Sequence, residues 1–337
     1  MTTMSSCATR EWQRTGSDAW RMELKEINDS EYSSLFPAVH VYNSTAFAQL
    51  NAMKVDAVRY LAFADGKLRF GIMLGECDKM LRSPFSAPFG GFAQRGVQSL
   101  NKMEEAVQLL QNYAAVRSMG IAITLPPLLY DEGQLSKWVS VFLRAGFKTI
   151  VDLNYHFRLS RFAAYRNVID RSARNHLNRS LKANFRLLQM RSDCRDEVAR
   201  AYEVIRRNRK ERGYPLRMTL EQVWQTVNSV VSADFFVLEH DGNDVAAAQV
   251  FHVAPGIAQV IYWGDIRCYS ELRPMNYLTY AVFSHYHAVG LQVLDIGPST
   301  EDGIPNYGLC DFKEDIGCEV TLKYRFEKTS ADAEIRL

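Results

Sequence analysis

The residues with the most chemical potential lie in one late stretch, LDIGPSTEDGIPNYGLCDFKEDIGC (Leu294–Cys318). Asp295 and Gly297 close an apolar run, and strand ends commonly open onto ligand clefts. A carboxylate there can hold an attacking amine or accept its proton. Equally, it can cap the turn at Gly297-Pro298. Ser299, Thr300, Glu301 and Asp302 follow as an exposed polar loop, and Glu301 and Asp302 are candidate amine contacts. Asn306 and Tyr307 begin the next piece, and the Tyr307 hydroxyl can donate to a leaving group or simply pack. Lys313, within Phe312-Lys313-Glu314, can neutralise a phosphate or the charge of an acyl-transfer transition state. Its plain alternative is pairing with Glu314 or Asp315 on a solvated helix.

Two further groups suit an anion. Arg174, Asn175 and Arg179 follow one another at helical spacing and suit a bidentate phosphate grip, or a surface helix docked on its neighbour. Gly90, Gly91 and Gly96 precede a helix in SPFSAPFGGFAQRG, where backbone amides can approach a phosphate. That loop fits neither G-x-G-x-x-G nor the Walker pattern, and it serves equally as a tight turn lined by Phe85, Phe89 and Phe92. Other chemistries find no footing. His285 and His287 stand two apart on a helix and point away from each other. There is no H-E-x-x-H, no C-x-x-C and no G-x-S-x-G.

The elements that must position these residues repeat. Each half shows a strand, Asp-Gly (65–66, 241–242), two strands, a loop, a helix, Gly, an apolar strand, a Pro-containing loop, a short helix and a closing strand. A length of 337 residues suits two such units. The expected division is a lead-in over 1–20, a first domain over 21–159 and a second over 160–337, the latter including a basic helical segment (160–217). Mostly antiparallel strands opened by a helix–strand crossover make an α+β layout. The net charge of +2 conceals an asymmetry: Arg158–Arg217 holds 17 Lys/Arg against 6 Asp/Glu, leaving 23 basic and 32 acidic residues elsewhere. Such a segment suits an anionic partner or is a solvated helical face. Six scattered cysteines, no 18-residue apolar run and no leader-like start point to a cytoplasmic chain with reduced thiols and no membrane span.

This order of elements resembles the acetyltransferase fold of the GNAT superfamily, doubled as in the Fem family of peptidoglycan-bridge aminoacyltransferases. RSARNHLNRSLKANFRL (Arg171–Leu187) is similar to that family's basic Arg-Asn helix, and the Asp-x-Gly strand end with the Phe-Lys-Glu-x-x-Gly step carries the most specific likeness. The resemblance implies two tandem GNAT-like domains and amide formation between an activated acyl donor and an amine acceptor. It implies that Lys313 serves phosphate binding and transfer, and that the donor, aminoacyl-tRNA or acyl-coenzyme A, is a co-substrate with no permanently bound cofactor. The acceptor is a small molecule such as an amino acid or a polyamine, or a cell-envelope precursor, expected to bear phosphate; the resemblance favours an envelope or surface-polymer precursor. Coenzyme A-dependent relatives carry Gln/Arg-x-x-Gly-x-Gly/Ala before the crossover helix; DIRCYSELRPMNYLTYAVFSHYHAV has no glycine there. That favours aminoacyl-tRNA, with an atypical coenzyme A grip, or a non-catalytic anion- or RNA-binding protein, as alternatives.

Overall fold

The computed structural model describes residues 21–329, and the expected lead-in (1–20) lies outside them. Turn chemistry fixes the two long hairpins. Ala57–Ala64 and Leu68–Cys77 flank Asp65-Gly66, and Ala233–His240 and Asn243–Ala254 flank Asp241-Gly242. Asp241 and Gly242 both take positive φ (47° and 76°), which a two-residue hairpin demands. Helix Leu100–Val116 buries Met103, Ala106, Val107, Leu110 and Ala114, the spacing of one helical face. Helix Pro274–Ala288 starts on proline and buries Leu278, Val282 and Phe283, while Val289 lies past its end and is exposed.

The basic segment does not open as one long helix. A 3-10 turn (Leu159–Ala164) and a short helix (Tyr165–Val168) stop at extended Ile169. The Asp170 carboxylate then accepts from the Ser172 amide and starts Arg171–Ser180 afresh.

One sheet runs through both halves. Its order is Glu23–Ile27, Ala57–Ala64, Leu68–Cys77, Met80–Ser83, Gly120–Thr124, Glu319–Lys328, Lys148–Arg158, Val293–Pro298, Ile257–Asp265, Asn243–Ala254, Ala233–His240 and Arg186–Met190. The closing strands are exchanged. Lys148–Arg158 pairs with Val293–Pro298, and Glu319–Lys328 pairs with Gly120–Thr124. The two closing strands also pair antiparallel along Glu319↔His156 to Glu327↔Lys148. A cut at 159/160 therefore separates each half from the strand that completes its sheet. The core crosses the same line, because Tyr42, Phe47 and Phe89 pack in one cluster with Ile205, Val223 and Phe235.

The second half opens in the middle of the sheet. Ile257–Asp265 runs parallel to Val293–Pro298 through only three pairs, ending at Gln259↔Asp295. Beyond that pair, Val260–Asp265 stays with Asn243–Ala254, and Gly297–Pro298 stays with Lys148–Arg158. The two strands part there and leave backbone edges facing a gap. In the first half, Met80–Ser83 pairs with Gly120–Ile123 along its whole length.

Candidate active site

Asp295 sits where the strands part, fully buried. Four donors hold its carboxylate: Tyr130 Oη at 3.0 Å and Gln259 Nε2 at 2.7 Å on Oδ2, Asn154 Nδ2 at 2.8 Å and the Gly297 amide at 2.9 Å on Oδ1. Tyr42 Oη in turn donates to Gln259 Oε1 at 2.7 Å. Tyr42, Tyr130 and Asn154 come from the first half, so this cluster pins one half to the other. A carboxylate so enclosed neither meets an amine nor takes its proton. The turn-capping reading of Asp295 is the one the structure shows, and Gly297, at φ 76°, makes the turn that its carboxylate holds.

Lys313 is not on a solvated helix face. It projects from helix Tyr307–Asp315 beneath the same strand end and is 2% exposed. Its ammonium donates to the carbonyls of Ile296 (3.2 Å), Gly297 (2.8 Å) and Pro298 (3.0 Å), so all three protons are used. It pairs with neither Glu314, which accepts from Tyr155 Oη, nor Asp315, which accepts from Ser172 Oγ. Burial pushes its pKa down to about 8. The Cys318, Asp295 and Cys310 groups oppose that fall, and the Arg209 charge adds to it. Lys313 thus acts on the gap from behind the strand, not as a group reaching a ligand.

The cation that does reach the gap is Arg209, at the C-terminal end of helix Arg195–Arg212. It has no ion pair among the described residues, and its Nε is buried without a hydrogen-bond partner. Its guanidinium carbon stands 5.2 Å from the Tyr262 ring centre and 5.8 Å from that of Tyr214. Burial lowers its pKa. Tyr262 belongs to the strand stretch beyond the last parallel pair. Its hydroxyl accepts from the Arg217 amide (3.3 Å), and Arg217 pairs with Glu301 at 2.8 Å. Tyr214 Oη accepts from Asn306 Nδ2 at 3.4 Å. Asn208 and Arg212 lock the helix to Asp265, through its carbonyl (2.7 Å) and its carboxylate (2.6 Å).

The other residues chosen from sequence fall in several places. Ser299 is buried, not in an exposed loop, and its hydroxyl has no partner. Glu301 and Asp302 are exposed, the latter paired with Arg325. Asn306 caps helix Tyr307–Asp315 by accepting from the Leu309 amide. Tyr307 is 74% exposed, and Phe312 packs edge-on against Trp263. Arg174, Asn175 and Arg179 do not converge as one clamp. Arg174 turns back to the Ile169 carbonyl, Arg179 reaches Glu271, and Asn175 is exposed. The glycine loop is folded inward. Gly90 donates its amide to the Thr124 carbonyl and Gly91 donates its own to Ser83 Oγ, so neither is free for a phosphate, and Gly96 stands exposed.

The basic segment is largely neutralised. Of its 17 cations, 11 form ion pairs among the described residues, which leaves Arg166, Arg171, Arg174, Lys182, Arg209 and Lys210. Among these, Arg209 alone combines burial of an unpartnered nitrogen with a place beside the gap; nothing in its sequence neighbourhood, Arg206-Arg207-Asn208-Arg209-Lys210, marks it out. No group of three or more His, Cys, Asp or Glu among the described residues is arranged for a metal ion, and no helix among them is long and apolar enough to cross a membrane.

Residues 171–314 match the acetyltransferase (GNAT) domain family, the stretch that contains both the gap and Arg209. Solved structures share the whole architecture. FemX aligns at a TM-score of 0.63 with 14% identity, over 90% of this chain and 96% of that one. L-PGS from Bacillus licheniformis gives 0.57 and 11%, over 91% and 93%. A tandem GNAT protein from the clavulanic acid biosynthesis pathway gives 0.53 and 11%, over 91% and 98%. No curated protein matches the sequence. Residues 171–314 thus match a GNAT domain, and the chain as a whole takes a tandem GNAT fold like that of FemX.

Proposed function

We propose that the chain forms an amide between an aminoacyl group carried as aminoacyl-tRNA and an amine acceptor that bears phosphate. The observation that carries the donor reading is the start of helix Pro274–Ala288. An acyl-coenzyme A pyrophosphate is gripped by free amides at a helix N-terminus. Here Pro274 has no N–H, and the Asn276 and Tyr277 amides donate to the Arg273 carbonyl (3.1 and 3.4 Å), which leaves Met275 alone. The likeness to FemX supports the same reading.

The acceptor reading rests on Arg209. A desolvated guanidinium with an unused nitrogen and aromatic faces beside it suits a phosphate or carboxylate oxygen. The reaction is attack of the acceptor amine on the ester carbonyl, forming the C–N bond, expelling the ribose oxygen and passing the amine proton to it or to solvent. Arg209 holds the acceptor anion beside the gap. Lys313 fixes the Ile296–Pro298 carbonyls and places a positive charge behind the developing oxyanion. Glu301, exposed and paired with Arg217 at 2.8 Å, is an acidic group that can take the amine by exchanging that partner.

The test is transfer from charged tRNA against transfer from acetyl-coenzyme A, with the wild type and Arg209→Ala. Transfer from charged tRNA, with kcat/KM reduced about 10- to 100-fold in Arg209→Ala, supports the reading. Tight acetyl-coenzyme A binding with acetyl transfer replaces it with the coenzyme A alternative.

A further inference from the structure

We infer that the polar face of the central strands, at Asn154, His156 and Lys323, is a binding subsite for a carboxylate with an adjacent N–H group, the end of an amino acid or peptide. His156 and Asn154 lie on one face of Lys148–Arg158, and Lys323 lies on the same face of Glu319–Lys328, where it opposes Asp152. His156 is 3% exposed and Asn154 1%. Among the described residues, neither ring nitrogen of His156 has a hydrogen-bond partner, nor has Asn154 Oδ1. The nearest acid to the imidazole, Glu319 Oε2, is 3.6 Å from Nε2, beyond bonding range, and is held by Arg158 and Arg161. Native interiors rarely leave three such atoms unmade.

Lys323 adds a charge. It has no hydrogen bond or ion pair among the described residues, and solvent still reaches it although atoms crowd around it. The charged groups in its field are Asp295, Asp152 and Arg325. Asp152 is engaged by Thr300 Oγ1 and the Gly303 amide, Asp295 by its four donors, and Arg325 by Asp302. The Lys323 ammonium has its three protons unused among the described residues, which suits a carboxylate oxygen. The orphaned Asn154 oxygen accepts an N–H, and a His156 nitrogen completes the set. This subsite rests on the amide-forming reading, in which it would hold the carboxyl end of the acceptor.

The probes are glycylglycine, N-acetylglycine and N-acetylglycine methyl ester, titrated by calorimetry and by nitrogen-15 shifts of the histidine rings in the full chain. Both carboxylates are expected to bind and to move the His156 resonances, and the ester is not. Lys323→Met should weaken the carboxylates at least tenfold, with Lys323→Arg retaining part of the affinity. Absence of carboxylate binding, equal binding of the ester, or an unchanged Lys323→Met would overturn the subsite. The ester comparison uses the wild type and stands even if the variants misfold. Carboxylate binding without any acyl transfer would remove the functional reading and keep the subsite. Transfer without carboxylate binding would do the reverse.

Discussion

At the scale of single residues, Asp295 and Lys313 hold the gap in shape and Arg209 faces it. Asp295→Asn places an amide among four donors and leaves at least one without an acceptor, so we expect a loss of about 2–3 kcal/mol in urea denaturation. Lys313 carries a pH signature. Its pKa is about 8 in the fold against an ordinary 10.5, so between those values the unfolded chain binds more protons and stability rises with pH. The gap in stability between wild type and Lys313→Met should shift in favour of wild type by up to about 3 kcal/mol from pH 8 to pH 10.5. A flat difference across that window would mean the ammonium is not desolvated as described. Arg209, partly exposed and without an ion pair among the described residues, is expected to cost under about 1 kcal/mol on replacement by Ala in the same assay, so its effect on transfer is not a folding effect.

At the scale of elements, the gap depends on a close crossing. Asn208 lies against Gly264, where an added Cβ would collide with the Asn208 side chain. Gly264→Ala must push the end of helix Arg195–Arg212 outward, and Arg209 with it. We expect about 1–3 kcal/mol lost and a fall in kcat/KM comparable to that of Arg209→Ala. Normal activity in Gly264→Ala would show that the placement of this helix end is not needed. The hairpins, helix Leu100–Val116 and helix Pro274–Ala288 were legible from Asp-Gly turns, helical spacing and Pro274, because those signals act within a few residues. The break at Ile169-Asp170 was not, since one capping carboxylate outweighs a continuous helical pattern.

At the scale of the whole molecule, the exchanged closing strands join the two halves. Residues 21–159 alone would leave Gly120–Thr124 and Lys148–Arg158 without Glu319–Lys328 between them. That fragment is expected to be insoluble or unfolded, and the intact chain to unfold in one transition by circular dichroism and by hydrogen exchange in both halves. Two separate transitions would contradict the shared core. The charge asymmetry also resolves only here. The excess in Arg158–Arg217 is met by acids distant in sequence, such as Glu239, Asp265, Glu301 and Glu319, so the segment is far less an anion-binding surface than its composition suggests.

The sequence by itself determined the repeated order of elements, the α+β tandem layout and the stretch from Leu294 to Cys318 as the region of interest. Turn preferences, helical spacing and a local motif suffice for those. Only the tertiary structure decided what each residue does there. It buried Asp295 under four donors, spent the three protons of Lys313 on carbonyls, left Tyr307 in solvent and singled out Arg209, Asn154, His156 and Lys323. Burial and partnership depend on residues more than 100 positions away, such as Tyr130 for Asp295 and Tyr42 for Gln259. Local sequence carries no record of that pairing, because strand exchange and helix crossing bring those groups together only once the whole sheet has closed.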